Sequence, residues 1–223
     1  MPMKLYFAPG ACSFVPHSLL EASGQPFEPV LVKLHKQENQ QPEFKAINPR
    51  GQVPVLVDDG QVITQILAIV SYLDARLPQA NFLPREPLAR ARALETLAWM
   101  NNTVHPTFTH VFMPYKFADD EGAQAVVKKH NARLYEGMLA DIEEMARKMQ
   151  SEGREFLAGD GFGPVDAYAL TLLRWGGFAG IDPVQFQVLW AHVQKVAALP
   201  PVARAIERER LQLNVYQPTT GRP

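Results

Sequence analysis

Two kinds of periodicity divide this chain and predict its fold class: an α/β unit followed by an all-helical bundle. Ahead of residue 78, short β-like runs alternate with helical ones, the pattern of a mixed layer with some parallel pairing. Residues 78–87 then carry three prolines and little periodicity, and read as a linker. Beyond them apolar residues recur at helical spacing with no convincing strand. The expected units are residues 1–80 and 88–217.

The elements follow in order. Lys4 to Phe7 reads as the first strand, and Ser13 to Ala22 as a helix. Ser13 caps it, and Pro16 falls where its missing N–H has no helical partner to lose. Gly24 ends it. Phe27 to Leu34, rich in Val and Leu, is the second strand. Gln52 to Val57 and Gln61 to Ile63 flank the turn Asp58-Asp59-Gly60 and form a hairpin. Thr64 caps the next helix, whose apolar positions Ile66, Ile69, Val70, Leu73 and Leu77 share one face. After the linker, Leu88 to about His110 reads as one long helix bent near Pro106, where an i to i−4 hydrogen bond is lost. Glu121 to about Glu152 follows, with Val126, Val127, Leu134, Met138, Ile142 and Met145 near one stripe. Val165 to Trp175 is short and very apolar, hence central. Phe186 to Leu199 and Val202 to about Leu211, separated by Pro200-Pro201, complete the bundle.

Composition narrows the function classes. The chain has 223 residues, 47% of them hydrophobic and 20% charged, which is enough to bury a sizeable core. Its net charge of −1 gives no reason to expect nucleic acid or an anionic membrane as partner. No apolar stretch approaches the ~20 residues that span a bilayer. A single cysteine excludes an internal disulfide and any site needing two thiolates. The six histidines show no ligand spacing, so no metal is expected, and the reading is of a cytoplasmic protein handling small ligands.

Cys12, in Pro9-Gly10-Ala11-Cys12-Ser13, lies between the first strand and the first helix. Free N–H groups and the helix dipole stabilise a thiolate there, and a lowered pKa is expected. The competing reading is a small buried hydrophobe. Ser13 is either a second candidate or a plain cap. Gln52-Val53-Pro54 opens the third strand. A trans strand-start proline is one reading, and a cis bond that turns the Val53 backbone outward toward an extended ligand is the other. His105 beside Pro106 either satisfies carbonyls freed at the bend or serves a site, and Trp175 belongs either to the core or to a pocket. Asp166, in Gly163-Pro164-Val165-Asp166, carries helix-start signals and reads as structural.

Taken together, Pro9 to Ser13, the run Asn48-Pro49-Arg50-Gly51-Gln52-Val53-Pro54-Val55-Leu56, the Thr64 to Tyr72 segment, His105-Pro106, and Asp166-Ala167-Tyr168 with Leu173-Arg174-Trp175 resemble the bacterial cytosolic glutathione transferases of the beta-like type across nearly the whole chain. The resemblance implies a thioredoxin-like N-terminal domain, an all-helical C-terminal domain, a homodimer, and glutathione as co-substrate for conjugation to a small hydrophobic electrophile or for thiol–disulfide exchange. It assigns catalysis to Cys12, Ser13 and His105. Glutathione would be held by Cys12, Lys36, Gln52, Val53, Pro54, Gln65, Ile66 and His105, with the bond before Pro54 cis. Phe112, Tyr115 and Trp175 would line the second-substrate pocket.

Two departures stand out. Phe7 occupies the position where many members place a tyrosine, and strand alternation turns Tyr6 to the other face. Gln65-Ile66 stands where an acid followed by Ser or Gly is expected, which removes a charge opposite the γ-glutamyl ammonium. The alternative that Gln65 and Ile66 support is a non-catalytic binding protein of the same fold.

Overall fold

The computed structural model describes residues 2–218. Strand β1 (Met3–Phe7) runs into helix α1 (Phe14–Ser23), which Gly24 terminates at φ 67°, a conformation that costs glycine nothing. Strand β2 (Phe27–Leu31) pairs parallel with β1, with α1 in the connection between them. Strands β3 (Val55–Asp58) and β4 (Gln61–Thr64) form the expected hairpin, with Asp59 and Gly60 both at positive φ as a two-residue turn requires. The sheet order is β2-β1-β3-β4, with β3 antiparallel to both neighbours, and helix α3 (Ile66–Arg76) closes the unit. This is the thioredoxin-like arrangement.

Several expectations shift. The second strand stops at Leu31 and yields to 3₁₀ turns at Leu34–Lys36 and Glu38–Gln40. A short helix, α2 (Pro42–Ile47), fills the stretch that shows no clear period, because only Phe44 of its six residues is buried. Ser13 stands at the N-cap but its hydroxyl makes no capping bond. It turns back to Ala8 instead, accepting from the Ala8 N–H (3.1 Å) and donating to the Ala8 carbonyl (3.2 Å). Thr64 is not the cap of α3; Gln65 is, at φ 71° and ψ 131°, without a side-chain bond.

Helix α4 (Pro87–Trp99) starts at a cap that the sequence reading does not include: Glu86 accepts from the N–H groups of Leu88 and Ala89. The bend expected near Pro106 is absorbed as a π segment, Met100–Val104, running straight into α5 (His105–Phe112). The His105 N–H bonds the Met100 carbonyl five residues back, a wider turn that accommodates a following proline. Helix α6 (Glu121–Ser151) is amphipathic, but its inward stripe is Tyr135, Leu139, Ile142, Ala146 and Met149. Of the expected stripe only Ile142 is fully buried, and Val126 and Leu134 are exposed. Helix α7 (Pro164–Gly176) is central as expected, buried at 12 of its 13 positions. Helices α8 (Gln187–Ala197) and α9 (Pro200–Glu209) finish the bundle.

One apolar cluster runs through both halves, from Leu5, Phe14 and Leu19 through Ile69 and Leu73 to Leu97, Tyr168 and Leu172. Helix α1 is its hinge, packing on α7 and α9 as well as under the sheet. The proline-rich connection is tied down: buried Asp74 accepts from the Leu83 N–H and pairs with Arg85 (3.1 Å) and Arg90 (2.7 Å). A smaller cluster of Val32, Phe44 and Val55, with Tyr6 edge-on to Phe44, covers the opposite sheet face. Tyr6 therefore points away from Phe7, which lies in the main core.

Candidate active site

The site grows from the loop after β1. Gly10 takes φ 68°, and a Cβ there would stand 2.7 Å from an Arg174 Nη, so both backbone and space demand glycine. Its N–H donates to Glu209 (2.8 Å) and its carbonyl accepts from the Trp175 indole (2.8 Å). Glu209 in turn pairs with His17 of α1 at 2.6 Å, both side chains fully buried. The loop carrying Cys12 is thus clamped to α7 and α9.

The Cys12 thiol lies 3.7 Å from the Val53 carbonyl, across a cis Val53–Pro54 bond. Burial pushes this thiol up to about 12; the N–H groups of Cys12 and Ser13 oppose that rise, and Glu209 adds to it. The lowered value expected from the helix end is therefore overturned. Desolvation of a thiolate outweighs two N–H donors when a buried carboxylate stands behind them.

Ser13 is fully buried and occupied with Ala8, which makes it a loop brace. Gln65 sits at a strained φ with its side chain exposed. The Ile66 side chain is in the core, leaving only its N–H to face a ligand. Asn48 shapes the loop between them by donating to the Gln52 carbonyl (2.8 Å), and Gln52 itself is exposed. Lys36 is exposed in a 3₁₀ turn, and among the described residues no hydrogen bond or ion pair joins it to the others.

From the helical side, His105 packs edge-on to Trp175 (4.8 Å between centroids), which stacks on Phe108 (4.7 Å), itself stacked on Phe112. Burial alone lowers the His105 pKa to about 4, so the ring is neutral near neutral pH. Its Nδ1 lies 2.9 Å from the Tyr168 hydroxyl rather than against a freed carbonyl. Phe112 and Tyr115 are more than half exposed, whereas Trp175 is buried. Asp166 is structural as expected: it accepts from the N–H groups of Gly163 and Leu157 and pairs with His192. Sequence reasoning did not assign Tyr168, Asn101, His17 or Glu209. For Tyr168 the available signal is a phenol inside an otherwise apolar helix, since a buried hydroxyl needs a partner. Among the described residues no cluster of His, Cys, Asp or Glu could hold a metal, and no helix is long and apolar enough to cross a membrane.

A sheet unit with a cis-proline loop facing a cysteine at its first helix, closed by an all-helical bundle, defines the glutathione-transferase class of architecture. Comparison with known proteins narrows this further. Residues 1–75 match the glutathione S-transferase N-terminal domain and residues 104–200 the C-terminal domain of the same family. The chain is 32% identical to glutathione S-transferase GST-4.5 of Xanthomonas campestris over 94% of this chain and all of that one. A sphingomonad glutathione S-transferase solved with glutathione superposes with a TM-score of 0.78 at 32% identity, covering 94% and 100% of the two chains. A Sulfitobacter homologue, also with glutathione bound, shares the fold at a TM-score of 0.85 and 24% identity over 94% and 99%. The chain belongs to the glutathione S-transferase family.

Proposed function

We infer that this protein is a glutathione transferase that holds glutathione against the Val53 backbone and activates its thiol for attack on an electrophile. The observation that carries the reading is the placement of the Cys12 thiol 3.7 Å from the Val53 carbonyl, on a loop whose Gly10 carbonyl accepts from the Trp175 indole, against which His105 packs in turn. An extended peptide-like ligand pairing with Val53 would bring its own sulfur to this point. Because the Cys12 pKa is raised, Cys12 acts as a neutral S–H donor toward a glutathione thiolate, and the N–H groups of Cys12 and Ser13 add to that stabilisation. This favours conjugation over thiol–disulfide exchange.

Glutathione is held by Val53, Gln52, Pro54, the Gln65 side chain and the Ile66 N–H, with Lys36 at the far end. Phe112, Tyr115 and Trp175 bound the place for a hydrophobic electrophile. Exposed Val62 on β4 and Leu88 on α4 support a homodimer that covers them, and sedimentation at micromolar concentration tests it. The cytoplasm, where glutathione is abundant and a lone thiol stays reduced, is the fitting compartment.

Retention on immobilised glutathione with elution by free glutathione, together with conjugation of 1-chloro-2,4-dinitrobenzene, is the expected result. Absence of both would overturn the reading. The non-catalytic alternative is not favoured, since the relatives matched over their full length are themselves called transferases.

A further inference from the structure

Helix α7 and the π segment between α4 and α5 meet at three polar groups, of which Tyr168 is fully buried and Asn101 and His105 are partly buried. The Tyr168 hydroxyl lies 2.9 Å from His105 Nδ1 and 3.3 Å from Asn101 Oδ1. Asn101 Nδ2 donates to Asn102 Oδ1 at 2.8 Å, which orients the amide with its oxygen toward Tyr168. Asn101 and His105 are four residues apart along this stretch, and the single phenol bridges them. Tyr168 is fully buried, and burial, with smaller contributions from Cys12 and Tyr135, pushes its hydroxyl well above the ordinary value. It therefore keeps one proton. That proton can be donated to Asn101 Oδ1 at 3.3 Å or to His105 Nδ1 at 2.9 Å; donated to Asn101 Oδ1, it leaves the phenol oxygen to accept from a His105 Nδ1–H.

We propose that Tyr168, backed by Asn101, is a positioning residue that fixes His105 in the Nδ1–H tautomer and leaves Nε2 as the acceptor of the glutathione thiol proton. Nε2 has no hydrogen-bond partner among the described residues and is not among the buried unpartnered atoms, so it is open to a ligand. In the step this implies, the S–H bond of glutathione breaks, its electron pair stays on sulfur, and the proton moves to Nε2. Because burial holds the His105 pKa at about 4, the imidazolium is transient and passes the Nε2 proton on to solvent, while its Nδ1–H stays on the Tyr168 oxygen. The phenol thus fixes the tautomer as the carboxylate of a Ser-His-Asp triad does but, being neutral, supplies none of that carboxylate's stabilisation of the imidazolium. This inference rests on the transferase reading above, but its first test does not depend on turnover.

The test is ¹⁵N–¹H NMR of uniformly labelled protein at pH 7.5, with the His105 signals identified by their loss in His105→Gln. The expected result is an Nδ1-protonated His105 in the native chain. Tyr168→Phe and Asn101→Ala should each give increased Nε2–H tautomer, with circular dichroism unchanged. In conjugation assays Tyr168→Phe should lower kcat about tenfold and leave KM for glutathione within about twofold. A native His105 carrying its proton on Nε2, as it would if both asparagine amides were turned over, overturns the proposal. So does a tautomer unchanged in folded Asn101→Ala and Tyr168→Phe. If the protein binds and turns over no glutathione, the transferase reading fails while the tautomer measurement still decides the positioning role.

Discussion

The two walls of the candidate site are built of different materials. The wall from the sheet half is mainly backbone: the Val53 carbonyl, the N–H groups of Cys12 and Ser13, the N–H of Ile66. The wall from the helical half is side chain: His105, Tyr168, Trp175 and the phenylalanines stacked beyond them. Beneath each lies a buried carboxylate–histidine pair, Glu209 with His17 under the first and Asp166 with His192 under the second. The difference is in reach. Asp166 serves groups within 26 residues of itself, whereas Glu209 holds the Gly10 loop 199 residues away. A backbone wall tolerates changes of its own side chains but depends on a distant anchor; a side-chain wall carries its own support.

The largest effect that separates them is on stability. Asp166→Ala leaves the His192 ring and two N–H groups unpaired in the interior and should cost about 3–5 kcal/mol, read from urea midpoints. Glu209→Ala should cost a similar amount but also release the Gly10 loop, so that Cys12 in the folded variant is alkylated faster while in folded Asp166→Ala it is not. Equal Cys12 reactivity in the two variants would erase the distinction between distant and local anchoring.

Next is the protonation of the sheet-side wall. With the Cys12 pKa raised to about 12, iodoacetamide at pH 7.5 should label the native chain at least about a hundredfold more slowly than the urea-unfolded chain. The native rate should keep climbing with pH past 9. Native and unfolded rates within tenfold of each other would show that the helix-end N–H groups prevail after all.

Smaller is the gain from restoring a charge. Ile66 is a core side chain, so Ile66→Ser would open a cavity, and the clean substitution is Gln65→Glu alone. A carboxylate facing the γ-glutamyl ammonium should tighten glutathione roughly tenfold by calorimetry, about 1.4 kcal/mol. No change would remove Gln65 from the ligand's reach.

The least is a pH dependence. His105 has a folded pKa of about 4, below its ordinary 6.5, so the unfolded chain takes up a proton that the folded chain refuses. That contribution is whole above pH 6.5 and is lost as pH falls from 6.5 toward 4. His105→Gln should therefore lose less stability between pH 7.5 and 5 than the native chain, and an identical loss would mean that the ring is not shielded.

The sheet-side wall is the more legible of the two in the sequence. Its groups sit in contiguous runs, Pro9 to Ser13 and Asn48 to Leu56, whose turn residues announce backbone geometry. Helix α7 and the Asp59-Gly60 hairpin are equally plain, whereas α6 is legible as a helix but not in the face it buries. Helix α2 escapes because a six-residue helix with one buried side chain carries no period. On the side-chain wall His105, Phe112 and Trp175 are named through the resemblance, but their polar partners escape because those contacts join residues 63 and 165 positions apart, His105 with Tyr168 and Trp175 with Gly10. The Cys12 protonation state escapes for a related reason: helix-end stabilisation is local and readable, while the desolvation that outweighs it comes from the assembled fold.

The continuous apolar cluster has a consequence for engineering. Because α1 packs on α7 and α9 as well as beneath its own sheet, the two halves are not interchangeable cassettes. A chimera that takes its first 80 residues from a relative imports a foreign α1 against native α9, along with a foreign partner for Glu209, Arg204 and Arg208. Grafts that carry α9 together with the sheet half keep that seam matched, and a useful crossover point therefore lies not at the proline-rich connection alone but also ahead of Pro200.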